Sequence, residues 1–182
     1  KGSLVDPDKT RFDLSHNAQI SDEELSRIEE LVNSQIEEDL EVFTDEVDQK
    51  KAREVNTLRA VFGEKYPDVV RVVSIGVPVE QLLADPTNDE WMRYSVEFCG
   101  GTHVKRTSEI KRFRLIEESA VAKGIRRVVG VTGEKAAEAE TNAEQVARLL
   151  VEASRADDAD LPALLTEITA KLNQAEMPVV EK

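Results

Sequence analysis

Residues 69–75 read Val-Val-Arg-Val-Val-Ser-Ile, and Gly76 follows them. A run that is nearly all β-branched and stops at a glycine is typical of a strand buried inside a sheet. Residues 93–98, Arg-Tyr-Ser-Val-Glu-Phe, alternate between polar and apolar side chains, which predicts a second, half-buried strand. The middle of the chain is therefore predicted to form a β-sheet.

Further strands and helices are predicted on both sides of this sheet. A helix is expected over 22–38, because Ser21-Asp-Glu-Glu24 has the pattern of a capping box and apolar residues recur behind it at helical spacing. A second helix is predicted over 48–60, and one helical turn around 79–84. Extended segments are expected at four more places: 11–14, 40–47, 112–115 and 125–131. A turn at Lys123-Gly124 is expected to join the last two.

The last quarter of the chain has a different character. No glycine follows Gly133, and Ala-rich sequence up to about residue 153 predicts a helix. Asp160 is expected to cap a second helix, which carries Pro162 in its first turn. Neither helix can bury its apolar stripe alone, so they pack on each other, on the domain or on a missing partner. We therefore expect an α+β fold, with a mixed or antiparallel sheet and packed helices over 1–133 and a helical segment over 134–182.

The composition indicates what kind of core the protein has and argues against disulfides and membrane-spanning helices. Of the 182 residues 40% are hydrophobic but only 4% aromatic, so the core must be mostly aliphatic. The single cysteine, Cys99, excludes an intrachain disulfide and favours a reducing compartment. No apolar run reaches the roughly 20 residues that a membrane-spanning helix needs, and no signal peptide is visible. Because Lys1-Gly2-Ser3 does not resemble a natural start, we expect the true N-terminus to lie upstream.

The distribution of charge matters more than its sum. The formal net charge of −13 argues against nucleic acid, since an acidic surface repels phosphates. Residues 104–127 are an exception, because they carry only three acidic side chains and eight basic ones: Lys105, Arg106, Lys111, Arg112, Arg114, Lys123, Arg126 and Arg127. If the protein binds RNA, these residues would contact the RNA backbone. A strand face exposed to solvent would explain the same pattern.

The stretch Cys99-Gly-Gly-Thr-His103 carries the most chemical information. A thiolate and an imidazole are the ligands that zinc prefers, and a tight turn lets both point at one ion. The two glycines permit positive φ angles and remove side-chain bulk, so that a ligand can approach the backbone. A zinc site needs about four donors. The other histidine, His16, is expected to hydrogen-bond locally, so the sequence supplies half of a zinc site, and the pair by itself could be structural.

The segment Val96-Glu-Phe-Cys-Gly-Gly-Thr-His-Val104, followed by Thr107-Ser-Glu-Ile110, resembles the signature of the editing domain of alanyl-tRNA synthetases. Further segments resemble that family in the same order, over residues 1 to about 135: Lys1-Gly-Ser-Leu-Val5, Arg11-Phe-Asp-Leu-Ser-His16, Ile28 to Asn33, Gly124-Ile-Arg-Arg127 and Val131-Thr-Gly133. The helical segment resembles the family only in position and character, as a connector toward a C-terminal domain that is absent here.

The resemblance implies a proofreading role. These enzymes charge tRNA with alanine and hydrolyse tRNA mischarged with serine or glycine, because a pocket sized for alanine excludes those two poorly. In the family the hydrolytic site binds zinc through His-x-x-x-His and Cys-x-x-x-His motifs, and Cys99 and His103 match the second. The first motif would lie before Lys1, as would the aminoacylation domain with its ATP and Mg²⁺. We therefore expect the isolated fragment to be inactive.

The resemblance also implies roles for neighbouring residues. Gly100 and Gly101 would let the tRNA end approach the backbone, and Thr102 would hydrogen-bond the hydroxyl of a mischarged serine or merely satisfy the turn. No catalytic residue is assigned. The implied partners are the acceptor end of the alanine tRNA and the rest of the synthetase, with neither membrane nor DNA, in the cytoplasm or in mitochondria. Six basic residues would contact the tRNA backbone: Lys105, Arg106, Lys111, Arg112, Arg126 and Arg127.

Other functions fit parts of the pattern. A free-standing protein that deacylates mischarged tRNA in trans would share this domain, but it needs the His-x-x-x-His half. The editing domain of a threonyl-tRNA synthetase is a more distant alternative, since Gly-Gly-Thr inside the Cys/His motif favours the alanyl family. A non-catalytic interaction module, with acidic helices packed on a partner and a metal-free Cys/His pair, belongs to a different class.

Overall fold

A computed structural model describes residues 2–61 and 63–181, so Lys1, at the start of the first family-like segment, lies outside the described residues. The chain forms two compact units. We call Lys1–Ser34 together with Lys111–Lys182 the terminal unit, and Gln35–Ile110 the central unit. The sequence-based division at residue 134 concerns the parts of a longer polypeptide, and it stays a prediction.

The terminal unit contains an antiparallel four-stranded sheet with strand order β1-β2-β8-β7. Strand β2 pairs with β8 along its whole length, and β8 pairs with β7 across a hairpin that turns at Lys123-Gly124 as predicted. All three residues of the edge strand β1 are exposed, and no sequence pattern predicts this strand. The strands are β1 (Ser3–Val5), β2 (Thr10–Ser15), β7 (Phe113–Ala122) and β8 (Ile125–Thr132).

Helix α1 (Asp22–Glu37) begins where the capping box predicts. The Ser21 N–H donates to the Glu24 carboxylate over 2.9 Å, and the Glu24 N–H donates to the Ser21 hydroxyl over 3.3 Å. Both bonds satisfy donors that a helix start leaves without partners. Leu25 then packs in a buried cluster with Ile20 and Leu115, which holds the helix on the sheet of the terminal unit.

Helices α4 (Gly133–Ala153) and α5 (Leu161–Gln174) also belong to the terminal unit. The first half of α4 buries Ala136 and Ala139 in a cluster with Ile116, Val129 and Val131 of the sheet. Its second half buries Ala143 and Val146 in a cluster with Ile168 of α5 and Met177. The buried parts of the two apolar stripes are thus covered by the sheet and by each other, which are two of the packing partners that the sequence allowed. Leu150 and Leu165 remain 53% and 50% exposed.

Asp160 occupies the N-cap position of α5 as predicted, but its side chain does not cap the helix. Asp160 has helical backbone angles, φ −94° and ψ −22°, and its side chain makes no capping hydrogen bond within the described chain. The turn before the helix already supplies a partner, because the Leu161 N–H donates to the Asp157 carbonyl over 3.2 Å. Pro162 does lie in the first turn, as expected.

The central unit contains a four-stranded mixed sheet with strand order β3-β5-β6-β4. The β3–β5 and β5–β6 pairs are antiparallel, whereas β4 and β6 are parallel. Val70, Val72 and Val96 bury one face of this sheet against Val79 and Leu82 of helix α3 (Val79–Ala84). The strands are β3 (Val42–Asp48), β4 (Leu58–Arg59), β5 (Val69–Ile75) and β6 (Val96–Phe98). The predicted α+β fold, with a mixed or antiparallel sheet and packed helices, is confirmed.

Two sequence predictions in the central unit are wrong in extent. Helix α2 (Gln49–Ala52) has four residues instead of filling 48–60, because the chain then turns to add β4 beside β6. The buried Thr57 fixes that turn by donating to the Tyr94 carbonyl over 3.2 Å. Strand β6 starts only at Val96, since Asp89–Arg93 forms a 3₁₀-helix.

No helix in residues 2–61 and 63–181 combines the length and apolarity needed to cross a membrane.

Candidate metal-donor loop

The segment Cys99–His103, which we call the donor loop, follows strand β6 in the central unit. Cys99 Sγ and His103 Nε2 lie 3.3 Å apart. Two donors on one tetrahedral zinc ion, with Zn–S near 2.3 Å and Zn–N near 2.0–2.1 Å, would be separated by about 3.5 Å. Cys99 is half-buried and His103 is exposed. The two side chains are within hydrogen-bonding distance of each other, and their separation is also close to that of two ligands on one zinc ion.

Arg71 of β5 holds the donor loop by its side chain and its main chain. Its Nη1 donates to the Cys99 carbonyl over 2.9 Å and to the Gly101 carbonyl over 2.6 Å. Its own carbonyl accepts from the Cys99 N–H over 3.3 Å. The β-branched run around Arg71 predicts only a buried strand and no role for its side chain. A charged residue inside a β-branched run was the signal that could have singled it out.

The chain downstream of the donor loop is held by the buried Thr107. Its hydroxyl accepts from the Leu40 N–H over 2.8 Å and donates to the Gln35 carbonyl over 2.8 Å. The Glu109 carboxylate accepts from the Lys105 and Arg106 N–H groups, each over 3.1 Å. The donor loop thus runs between two fixed ends.

The glycines of the donor loop leave room beside the backbone, but they do not adopt positive φ angles. Neither Gly100 nor Gly101 lies in the left-handed region, so that part of the sequence argument is wrong. A Cβ at Gly100 would meet nothing within 4 Å, and one at Gly101 would meet only Cys99 Sγ at 3.5 Å. The Thr102 side chain is exposed, and its hydroxyl makes no hydrogen bond to any described residue. The backbone of the loop and the Thr102 hydroxyl are open to a ligand.

Within the described ranges, no third metal donor lies beside Cys99 and His103. Among the described residues, no group of three or more His, Cys, Asp or Glu side chains is placed to hold a metal ion. His16 lies in the terminal unit, where its backbone N–H donates to the Gly124 carbonyl over 3.2 Å. Its role as a metal ligand therefore gains no support from neighbouring donors.

The basic residues predicted to contact RNA divide between the two units. In the terminal unit Arg112 pairs with Glu140, Arg126 with Glu118 and Arg127 with Asp13. In the central unit Arg106 pairs with Asp39 over 2.8 Å. Lys105 and Lys111 are exposed and make no salt bridge with a described residue. Their positive charge is available for phosphate, whereas four of the predicted charges are already neutralised by carboxylates.

These pairs make the stability of the terminal unit depend on pH. The hydrogen bond from Arg127 holds the pKa of Asp13 below its ordinary value, and Arg126 likewise lowers the pKa of Glu118. A carboxylate whose pKa is lower in the folded state stabilises the fold at every pH above its ordinary pKa of about 4. This stabilisation is lost as the pH falls through the pKa of the folded state. We expect the midpoint of thermal unfolding of the 182-residue chain to fall steeply below about pH 4.5. The Arg127→Met variant should show a shallower fall, and an unchanged slope would contradict this.

Comparison with known proteins places the donor loop in a family. Residues 70–129 match the family described as the threonyl and alanyl tRNA synthetase second additional domain. The whole chain is 51% identical over 183 residues to the mitochondrial alanine–tRNA ligase of Saccharomyces cerevisiae. The chain belongs to the alanyl-tRNA synthetase family.

Other alanine–tRNA ligases match three quarters or all of the chain. The alanine–tRNA ligase of Candida albicans is 57% identical over 136 residues, which are 75% of the chain and 14% of that protein. The cytoplasmic enzyme of Caenorhabditis elegans is 40% identical over 194 residues, which cover the whole chain and 20% of that protein. The chain spans 19% of the S. cerevisiae relative, so it corresponds to about one fifth of a full-length alanyl-tRNA synthetase.

Proposed function

We propose that this segment supplies two metal donors to a site that hydrolyses tRNA mischarged with serine or glycine, within an enzyme that charges tRNA with alanine. A pocket that accepts alanine cannot exclude glycine by size and rejects one added hydroxyl poorly, so accuracy requires a second, hydrolytic site. The domain that matches residues 70–129 is shared with threonyl-tRNA synthetases, but the similar full-length proteins are alanine–tRNA ligases.

The observation that carries this proposal is the 3.3 Å separation of Cys99 Sγ and His103 Nε2 on a loop fixed at both ends. A thiolate and an imidazole suit zinc, so these two residues would hold the ion together with donors from outside this chain. Bound zinc would supply a Lewis acid and a water molecule of lowered pKa.

The chain's own residues would orient the aminoacyl end of the tRNA. The open backbone at Gly100 and Gly101 lets the terminal adenosine and ester approach the donors closely. The Thr102 hydroxyl, which has no described partner, would donate to or accept from the hydroxyl of a seryl group. Lys105 and Lys111 would neutralise phosphates of the acceptor stem, which positions RNA without reading its sequence. No residue is assigned as the catalytic acid or base.

The other parts of the enzyme would lie outside this segment. ATP and Mg²⁺ would bind the aminoacylation domain, and the partners of the segment would be the alanine tRNA and the rest of the synthetase. We propose a cytoplasmic enzyme, with mitochondria as the alternative, because the relatives include both cytoplasmic and mitochondrial ligases.

The proposal is tested in the full-length ligase by separating hydrolysis from charging. We expect the Cys99→Ser variant to charge tRNA with alanine normally but to leave seryl-tRNA intact, because the charging site lies elsewhere. Met92→Ala, at an exposed position in the same unit, serves as the control and should retain both activities. Normal hydrolysis of seryl-tRNA by Cys99→Ser would refute the proposal.

A role for Thr102 in selecting serine makes a separate prediction. Thr102→Val keeps the shape of the side chain but removes its hydroxyl, so it should slow hydrolysis of seryl-tRNA about 3- to 10-fold, the worth of one hydrogen bond. Hydrolysis of glycyl-tRNA should be unchanged, because glycine has no hydroxyl to bind. Equal slowing of both substrates would show that Thr102 supports the loop and does not select serine.

A further inference from the structure

We propose that Arg71 is the positioning residue of the donor loop: it sets the convergence of Cys99 and His103 before a metal binds. This inference rests on the proposed function, and it adds a residue outside the Cys/His motif to the site. Arg71 would act through the loop and touch neither metal nor substrate.

The donor loop depends on Arg71 for its shape. Two of its five residues are glycines, which lose more conformational freedom on ordering than any other residue. Among the described residues no backbone hydrogen bond joins one residue of the loop to another. The Cys99 and Gly101 carbonyls instead converge on one nitrogen, Nη1 of Arg71. A side chain from the neighbouring strand thus supplies the bonds that a tight turn usually makes within itself.

Arg71 is itself held in a fixed place. It lies in β5 between Val70 and Val72, both buried in the core of the central unit. Because side chains alternate along a strand, Arg71 faces the opposite side of the sheet. The β5–β6 register pairs Val72 with Phe98, which brings Arg71 level with Cys99. The guanidinium therefore projects from a rigid strand, which is the support that a precise metal site needs.

The Arg71 guanidinium forms no salt bridge with any carboxylate in the described chain. Its cross-strand neighbour on β3 is Glu46, but the two side chains form no salt bridge. This differs from Arg106, Arg112, Arg126 and Arg127, each of which is paired with a carboxylate. The side-chain hydrogen bonds of Arg71 in the described chain go to the two loop carbonyls, which points to a specific role in the donor loop.

Zinc affinity in the full-length ligase tests this inference without relying on hydrolysis. We expect Arg71→Met to weaken zinc retention against a competing chelator about 10- to 100-fold, the usual effect of losing a residue that orients metal ligands. Alanine charging should be unchanged. Arg71→Lys should recover part of the affinity, because lysine keeps the stem and charge but lacks the long planar guanidinium. Arg59→Met is the matched control, since Arg59 is an exposed arginine on β4, which also pairs with β6.

The outcomes separate the two proposals. If folded Arg71→Met binds zinc as tightly as the wild type, the role of Arg71 is overturned. If Cys99→Ser loses zinc in the same experiment, the proposed function still stands. Unchanged zinc and unchanged seryl-tRNA hydrolysis in Cys99→Ser overturns the proposed function itself. If Arg71→Met fails to fold, Arg71→Lys decides: weakened affinity in a folded protein supports the role of Arg71, and wild-type affinity overturns it.

Discussion

Replacing Glu29 by alanine is expected to destabilise the terminal unit by about 3 kcal/mol, the lower end of the cost of breaking a buried ion pair. Glu29 is only 3% exposed. Its carboxylate accepts from Arg114 Nη1 over 2.7 Å and from the Leu115 N–H. The alanine variant leaves a largely buried guanidinium and a buried backbone N–H without this partner. Glu140 remains 2.6 Å from Arg114 Nε, which keeps the cost from being larger.

Urea unfolding of the 182-residue chain measures this effect as a lowered free energy of unfolding. Glu30→Ala is the matched control, because Glu30 is the exposed neighbour on α1 and should change stability by less than about 0.5 kcal/mol. Because Glu29 lies on α1, Arg114 on β7 and Glu140 on α4, the pairs join three elements of the terminal unit. Equal losses in the two variants would mean that this network contributes nothing specific.

If Cys99 and His103 hold one metal ion, removing either of them should slow hydrolysis of mischarged tRNA to the same degree. In the full-length ligase we expect Cys99→Ser and His103→Ala each to lower hydrolysis of seryl-tRNA at least about 100-fold, since bound metal contributes several kcal/mol to such reactions. The double variant should be no slower than either single variant, because residues that act as one unit have non-additive effects. Charging with alanine is the internal control.

Two other results would contradict this account. Additive losses in the double variant would mean that Cys99 and His103 act separately and not on one ion. Slower alanine charging in either variant would mean that the substitutions damage the enzyme as a whole.

Local patterns in the sequence were sufficient for several elements and for the proximity of Cys99 and His103. The capping box at Ser21 and Glu24 located the start of α1, since both partners lie within one turn. The spacing of Cys99 and His103 predicts that their side chains meet, and they lie 3.3 Å apart, while their role as metal donors stays a prediction. Helix α2 was predicted too long because the chain leaves it to place β4 beside β6, a contact between distant segments.

Long-range partners explain what the sequence could not predict. The basic stretch predicted contacts with RNA, and it gave no sign that Arg127 pairs with Asp13, which lies 114 residues away in the sequence. Arg71 was hidden for a similar reason, because its partners Cys99 and Gly101 are 28 and 30 residues distant. Local spacing gives no information on such pairs, and only the folded chain brings them together.

The most direct test of the metal-donor role is X-ray absorption at the zinc edge of the full-length ligase, recorded for the wild type and for Cys99→Ser. We expect one sulfur scatterer at about 2.3 Å in the wild type, with nitrogen or oxygen at about 2.0–2.1 Å. The sulfur contribution should disappear in Cys99→Ser. Zinc without a sulfur ligand in the wild type, or an unchanged sulfur contribution in the variant, would contradict the assignment of Cys99 to the metal.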